Sequence, residues 1–252
     1  AARALEANVS EPTVNRFCRS MDTRGFPDFK LHLAQSLANG TPYVNRNVNE
    51  DDSVESYTGK IFESAMATLD HVRHSLDKSA INRAVDLLTQ AKKIAFFGLG
   101  SSAAVAHDAM NKFFRFNVPV VYSDDIVLQR MSCMNCSDGD VVVLISHTGR
   151  TKNLVELAQL ARENDAMVIA LTSAGTPLAR EATLAITLDV PEDTDIYMPM
   201  VSRLAQLTVI DVLATGFTLR RGAKFRDNLK RVKEALKESR FDKQLLNLSD
   251  DR

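Results

Sequence analysis

The residues Ile94-Ala95-Phe96-Phe97 run straight into Gly98-Leu99-Gly100-Ser101-Ser102, and Val141-Val142-Val143-Leu144-Ile145 run in the same way into Ser146-His147-Thr148-Gly149-Arg150-Thr151. Each stretch reads as a buried strand, a turn rich in glycine and hydroxyl side chains, and the start of a helix. Such a turn leaves backbone N–H groups unpaired at the positive end of a helix dipole and sets hydroxyl donors beside them, which makes it a cradle for an anion. Any one of these serines also suits an ordinary helix cap. Two such turns at the carboxyl ends of neighbouring parallel strands point instead to one site for a small phosphorylated molecule. Its candidate contacts are Gly100, Ser101 and Ser102 in the first turn and Ser146, His147, Thr148, Gly149 and Thr151 in the second.

Outward from these turns, strands are expected at about 94–97, 118–122, 141–146, 167–172 and 184–188, with helices at about 102–116, 125–134, 151–164 and 199–219. The strands are continuous Val, Ile, Leu and Phe runs rather than alternating ones, as a parallel sheet covered on both faces requires. The expected fold class is therefore α/β, with a doubly wound parallel sheet of five strands. Ahead of it Ile61, Ala65, Leu69, Val72 and Leu76 recur at helical spacing from Val54 to Leu76, and Ile81, Val85 and Leu88 continue the pattern after Asp77-Lys78. Behind it lies a basic amphipathic tail in which Phe225, Leu229, Val232, Leu236 and Phe241 alternate with Arg226, Lys230, Arg231, Lys233 and Lys237, read as a solvated helix packed on the domain.

Composition bounds the possibilities. The chain has 252 residues, 45% of them apolar and 25% charged, with a formal net charge of −1. That balance suits a globular protein with a sizeable core, and any polyanion contact has to be a local patch. No run of apolar residues is long enough to span a membrane and no leader precedes the first helix, so neither a membrane span nor an export signal is expected. Three cysteines, an odd number, fit a reducing cytoplasm better than a disulfide framework. Cys133-x-x-Cys136 has no second pair in its neighbourhood, so ordinary helix positions are expected rather than a metal site.

The first 39 residues follow another logic. Ser10 suits a helix N-cap, Glu11 the first turn, and Pro12 the position whose missing N–H costs nothing. In that helix Val14, Phe17, Cys18 and Met21 share one face. A shorter helix, Ala2 to Ala7, precedes it through Asn8-Val9, with Ala4 small at the crossing, so the pair reads as a helix-turn-helix. The second helix would enter the major groove with Thr13, Asn15 and Arg16 toward base edges and Arg19 toward phosphate. So few cations on one module imply two modules related by symmetry, hence a dimer on a palindromic site. The breaker cluster Asn39-Gly40-Thr41-Pro42 ends this region, and a polar stretch to Ser53 links it to the next helix.

Residues 9–48 (VSEPTVNRFCRSMDTRGFPDFKLHLAQSLANGTPYVNRNV), with GLGSSAAVAHDAMNKFFRF at 98–116 and ISHTGRTKNLVELAQLA at 145–161, resemble the RpiR family of bacterial transcriptional regulators. The similarity extends over nearly the whole chain. It implies an N-terminal helix-turn-helix domain joined to a flavodoxin-like sugar isomerase (SIS) domain that senses a phosphosugar, in a cytoplasmic, dimeric repressor of sugar metabolism that is not an enzyme and needs no cofactor or metal. For the members most like this chain the effector implied is 2-keto-3-deoxy-6-phosphogluconate, and the other partner is operator DNA. By position the serine of the family's first loop is Ser102, and its S-x-S-G-x-T loop falls on Ser146, Thr148, Gly149 and Thr151, with Thr148 in place of a serine. The domains expected are 1–39 for DNA, 40–76 as linker and connecting helix, and 77–252 for the phosphosugar. Family members carry further helices ahead of the point matched by Ala1, so the helix-turn-helix domain is expected to be truncated at its N-terminus.

Two other readings compete. Gly98-x-Gly100-x-x-Ala103 also fits a dinucleotide fingerprint, with Asp124 or Asp125 as the ribose acceptor, but it leaves the Ser146–Thr151 turn unexplained. A sugar-phosphate isomerase needs a base beside the carbonyl, for which His107 and His147 are the candidates, and no paired acid and base is evident.

Overall fold

In the computed structural model of the chain, the residues described are Glu11–Ser20, positions 23, 25, 26 and 29, and residues 47–236. The chain divides into two compact units, residues 1–66 with 193–198, and residues 67–192 with 199–252. In the first unit α1 runs Glu11–Ser20, with Cys18 fully buried and Val14 half-buried. Phe17, expected on the buried face, is 54% exposed and touches Phe29 edge-on. The proposed N-cap Ser10, the helix Ala2–Ala7 and most of the linker lie outside the described residues.

Helix α2 spans Val54–Ser75, so its residues up to Met66 fall in the first unit and the rest in the second. Its start is tied by Asp52, which accepts from Asn49 N (2.8 Å), Ser56 Oγ (2.9 Å) and Lys60 Nζ (2.6 Å). In the second unit α3 (Lys78–Gln90) is capped by Asp77, whose carboxylate accepts from Ser79 N.

The sheet then follows: β1 (Lys93–Gly98), α4 (Ser101–Phe113), β2 (Val120–Tyr122), α5 (Ile126–Met134), β3 (Asp140–Ile145), α6 (Lys152–Glu163), β4 (Met167–Thr172), α7 (Pro177–Glu181), β5 (Leu184–Thr187) and α8 (Val201–Ala235). The strands are all parallel, in the order β2-β1-β3-β4-β5. This is the expected doubly wound α/β layer. Strand order reverses between β1 and β3, and in open α/β sheets that crevice is where ligands bind.

Alternate residues of β1 explain the two covered faces. Phe96 meets Phe113 of α4 with ring centroids 5.1 Å apart, and Phe113 continues to Phe217 of α8 at 5.6 Å. Ala95 and Phe97 face the other way, into the cluster of Cys133, Val142, Leu144, Leu154, Leu157 and Ala158. Each fully buried Phe or Leu contributes about 1.5–3 kcal/mol by leaving water, so the layer is held by hydrophobic burial on both sides.

The structure departs from the expected boundaries in three places. The helix expected to reach residue 116 stops at Phe113, and Phe114–Phe116 form a 3-10 turn ending on Asn117 in the left-handed region. A short helix, α7, was not foreseen; Thr176 caps it and Pro177 opens it. The last helix and the described part of the basic tail form one run to Ala235, with Gly222 (φ 79°, ψ −166°) non-helical inside it, and Lys237 and Phe241 lie outside the described residues. Phe225 stays on the domain beyond that break, 5.7 Å from Phe116 and 5.8 Å from Phe217. Among the described residues no helix is long and apolar enough to cross a membrane.

Candidate functional site

The parallel register pairs Gly98, the last residue of β1, with Ile145, the last of β3. The two glycine and hydroxyl turns therefore leave adjacent strands at the same level, across the point where strand order reverses. Glycine is required in both. A Cβ on Gly98 would lie 2.5 Å from the backbone oxygen of Ser102, so only glycine lets α4 begin so close to its strand. Gly100 takes φ +56° at the N-cap of α4 with no side-chain cap, so the turn gives that helix start no side-chain acceptor.

In the first turn Ser102 is buried and Ser101 half-buried. Ser102 N donates to Leu99 O at 3.2 Å, closing the turn. From beneath, the fully buried Gln129 of α5 donates through Nε2 to Gly98 O (3.4 Å) and Ser123 O (2.7 Å). Sequence reading passed over Gln129, which carries no turn or helix signal.

The second turn is more heavily braced. Ser146 is buried; its N donates to Leu171 O (3.0 Å), and its Oγ accepts from Gly149 N (3.1 Å). Thr148 Oγ1 accepts from Arg150 N at 3.4 Å. Thr151 is the N-cap residue of α6 and makes no side-chain cap, so its hydroxyl is not spent on its own helix. His147 O accepts from Ser173 N (3.1 Å) and Ser173 Oγ (2.7 Å). His147 Nε2 lies 3.0 Å from Glu192 O. A carbonyl only accepts, so Nε2 carries the hydrogen and in the neutral ring Nδ1 keeps its lone pair.

A third turn, after β4, supports the second. Gly149 sits at φ +57°, and a Cβ there would fall 2.2 Å from Thr176 Oγ1 and 2.5 Å from Thr172 Oγ1. Thr172 is 1% exposed and its Oγ1 has no hydrogen-bond partner. The stretch Thr172-Ser173-Ala174-Gly175-Thr176 repeats the strand-then-glycine-and-hydroxyl pattern, so the signal for this third turn was in the sequence.

One residue named by each competing reading is engaged elsewhere. Asp125, a ribose acceptor in the dinucleotide reading, caps α5 by accepting from Val127 N and Leu128 N. His107, a candidate base, is exposed and stacks on Tyr122 at 4.9 Å. Burial, and then the Asp124 carboxylate, push the Tyr122 phenol up. Cys133 is buried in α5, and burial first and Cys136 second push its thiol up to about 12. No group of three or more His, Cys, Asp or Glu among the described residues is placed to hold a metal ion.

Of the residues assigned to DNA, Arg16 and Arg19 are exposed on α1 and Thr13 is half-buried, with Arg16 Nη2 3.4 Å from Thr13 Oγ1. Asn15 lies in the same helix, and its side chain is outside the described residues.

Comparison with known proteins agrees with this architecture. Residues 87–216 match the SIS domain family, and residues 1–40 match the helix-turn-helix domain of the rpiR family. The chain is 57% identical to the HTH-type transcriptional regulator HexR of Pseudomonas aeruginosa, over 96% of this chain and 85% of that protein. It is 38% identical to the bifunctional protein glk of Paraburkholderia xenovorans over 92% of its own length, but spans only 36% of that larger protein. The solved structure of the Vibrio vulnificus NanR protein complexed with ManNAc-6P superposes with a TM-score of 0.68 at 25% identity, covering 95% of this chain and 85% of that one. With both family matches in place and a relative this similar along nearly its full length, the chain belongs to the RpiR family of transcriptional regulators, built from a helix-turn-helix region and a SIS domain, and is not an enzyme.

Proposed function

We propose that this regulator is a cytoplasmic repressor that binds operator DNA as a homodimer through Thr13, Asn15, Arg16 and Arg19. Its SIS domain senses a phosphosugar, 2-keto-3-deoxy-6-phosphogluconate. Residues 1–39 serve DNA, 40–76 connect, and 77–252 sense. The phosphosugar rests on Gly100, Ser101 and Ser102 from one turn and Ser146, His147, Thr148, Gly149 and Thr151 from the other. The observation that carries this reading is the Gly98–Ile145 pairing, which sets two anion-cradling turns side by side at the switch point of the sheet. The high identity to HexR and the sugar phosphate bound in NanR support it.

The magnitudes are of the right order. Hydrogen bonds to a charged acceptor contribute about 1.5–3 kcal/mol each, so four or five give about 6–15 kcal/mol, a range that spans the roughly 8 kcal/mol of a micromolar ligand. Sensing requires that the phosphosugar bind one state of the regulator better than the other, since equal affinity shifts nothing. Helix α2, which has residues in both units, is one covalent path between them.

A gel-shift titration tests both halves, using DNA selected by the protein from a random-sequence pool. Ser102→Ala combined with Ser146→Ala leaves DNA affinity intact and removes the response to the phosphosugar, whereas Arg16→Ala weakens DNA binding. An undiminished phosphosugar response in the double variant contradicts the site, and full DNA affinity in Arg16→Ala contradicts the recognition helix.

A further inference from the structure

Glu192 follows β5, and no sequence motif singled it out, yet it joins three parts of the sensing domain. One carboxylate oxygen accepts from Met200 N (2.7 Å) and Val201 N (2.9 Å). The other accepts from Ser202 N (3.2 Å) and from the Ser202 hydroxyl, itself 1% exposed. These are the first donors of α8, whose N-cap residue Met200 makes no side-chain cap. The main-chain oxygen of the same residue accepts from His147 Nε2 at 3.0 Å.

A helix cap is normally supplied by the adjoining residue. Here it comes from eight to ten positions upstream, so the capping bonds also fix the backbone of a remote residue. The carbonyl of that fixed backbone in turn holds the Nε2–H of His147, a residue of the second turn. The chain between, 193–199, departs and returns through the same clasp, with Tyr197 N donating back to Asp193 O at 2.9 Å.

We propose that Glu192 is a positioning residue for effector binding: its carboxylate grips the start of α8 and so places the carbonyl that takes the His147 Nε2–H, which leaves Nδ1 to accept from a hydroxyl group of the phosphosugar. This rests on the assignment of His147 to the phosphosugar site above. Glu192 contacts no ligand. Its role is to prepay the ordering of His147, the kind of preorganisation that changes affinity by about 3- to 10-fold for one side chain.

The test is calorimetric titration of 2-keto-3-deoxy-6-phosphogluconate into the full chain carrying Glu192→Ala, Glu192→Gln, His147→Ala, or Glu192→Ala with His147→Ala. Glu192→Ala weakens binding about 3- to 10-fold, and Glu192→Gln, which keeps the volume and one acceptor oxygen, falls between it and wild type. In the His147→Ala background Glu192→Ala has no further effect, because the residue acts only through the imidazole. The Nε2–H proton resonance of His147 also shifts in Glu192→Ala, a change that a simple helix cap does not produce. Equal weakening in both backgrounds makes Glu192 a structural cap and overturns the proposal, as does unchanged affinity in Glu192→Ala. Should alanine unfold the chain, unchanged affinity and an unshifted His147 resonance in Glu192→Gln overturn it equally. If Ser102→Ala with Ser146→Ala binds like wild type, the site itself is wrong and this inference falls with it. If that double variant loses binding and Glu192→Ala does not, the inference alone fails.

Discussion

Gly149 has neither the backbone conformation nor the room for an added methyl group. Its φ of +57° is left-handed, and the new carbon would press on the hydroxyls of Thr172 and Thr176. Gly175 has a similar φ of +70° with nothing within 4 Å. Gly149→Ala therefore costs about 2–5 kcal/mol, from backbone strain plus overpacking, whereas Gly175→Ala costs only the strain, about 1–2 kcal/mol. Denaturant unfolding of the two variants measures this, and equal losses would show that the threonine packing is absent. The cysteines give a second contrast. With its thiol held near pKa 12 by burial, Cys133 stays protonated and unreactive at pH 8, so a thiol reagent labels the half-buried Cys136 first and Cys133 only on unfolding. At this scale the sequence was informative about residues whose type and spacing announce their work, such as Ser102, Ser146 and Gly149. Glu192 and Gln129 were not read because their side chains bond beyond the adjoining turn, in pairings that only the folded chain sets, whereas Thr172 carried a turn signal of its own.

Among the elements, three helix beginnings follow directly from local chemistry. Asp77, Asp125 and Thr176 cap α3, α5 and α7 with their own side chains, and Asp125→Ala should lower stability by about 1 kcal/mol in thermal or denaturant unfolding. Helix α8 differs, since its cap comes from Glu192. The start of α2 adds a pH dependence. Lys60 first, then the Asn49 N–H, with Ser56 adding less, hold the Asp52 carboxyl at about 2, below its ordinary 3.8. A depressed folded value means that this tie is fully present above pH 3.8 and is lost as pH falls through about 2. A carbon-13 titration of Asp52 should show a midpoint near 2, and a midpoint near 3.8 would mean that the tie does not form. Periodicity and strand composition revealed all five strands within a few residues. They did not reveal α7, which has only five residues, too few for a helical period to show. Nor did they join α8 to the tail, because the aromatic packing of Phe116, Phe217 and Phe225 that holds the run together across Gly222 is a long-range effect.

For the molecule as a whole, the strand order places both glycine and hydroxyl turns at the one reversal in the sheet, so the fold and the proposed site have a common origin in the two strand-turn-helix stretches. Ligand binding to the folded state alone should then raise stability by about 2.7 kcal/mol at a hundredfold excess over Kd, visible as an upward shift of the melting temperature with 2-keto-3-deoxy-6-phosphogluconate and none with the unphosphorylated sugar acid. The central claim is that the paired turns hold the phosphate. Its most direct test is calorimetric titration of 2-keto-3-deoxy-6-phosphogluconate into the wild-type chain and into Ser102→Ala with Ser146→Ala. The account predicts saturable one-site binding in the wild type and at least a tenfold loss in the variant, about 1.4 kcal/mol or more; equal affinity in the two proteins would contradict it.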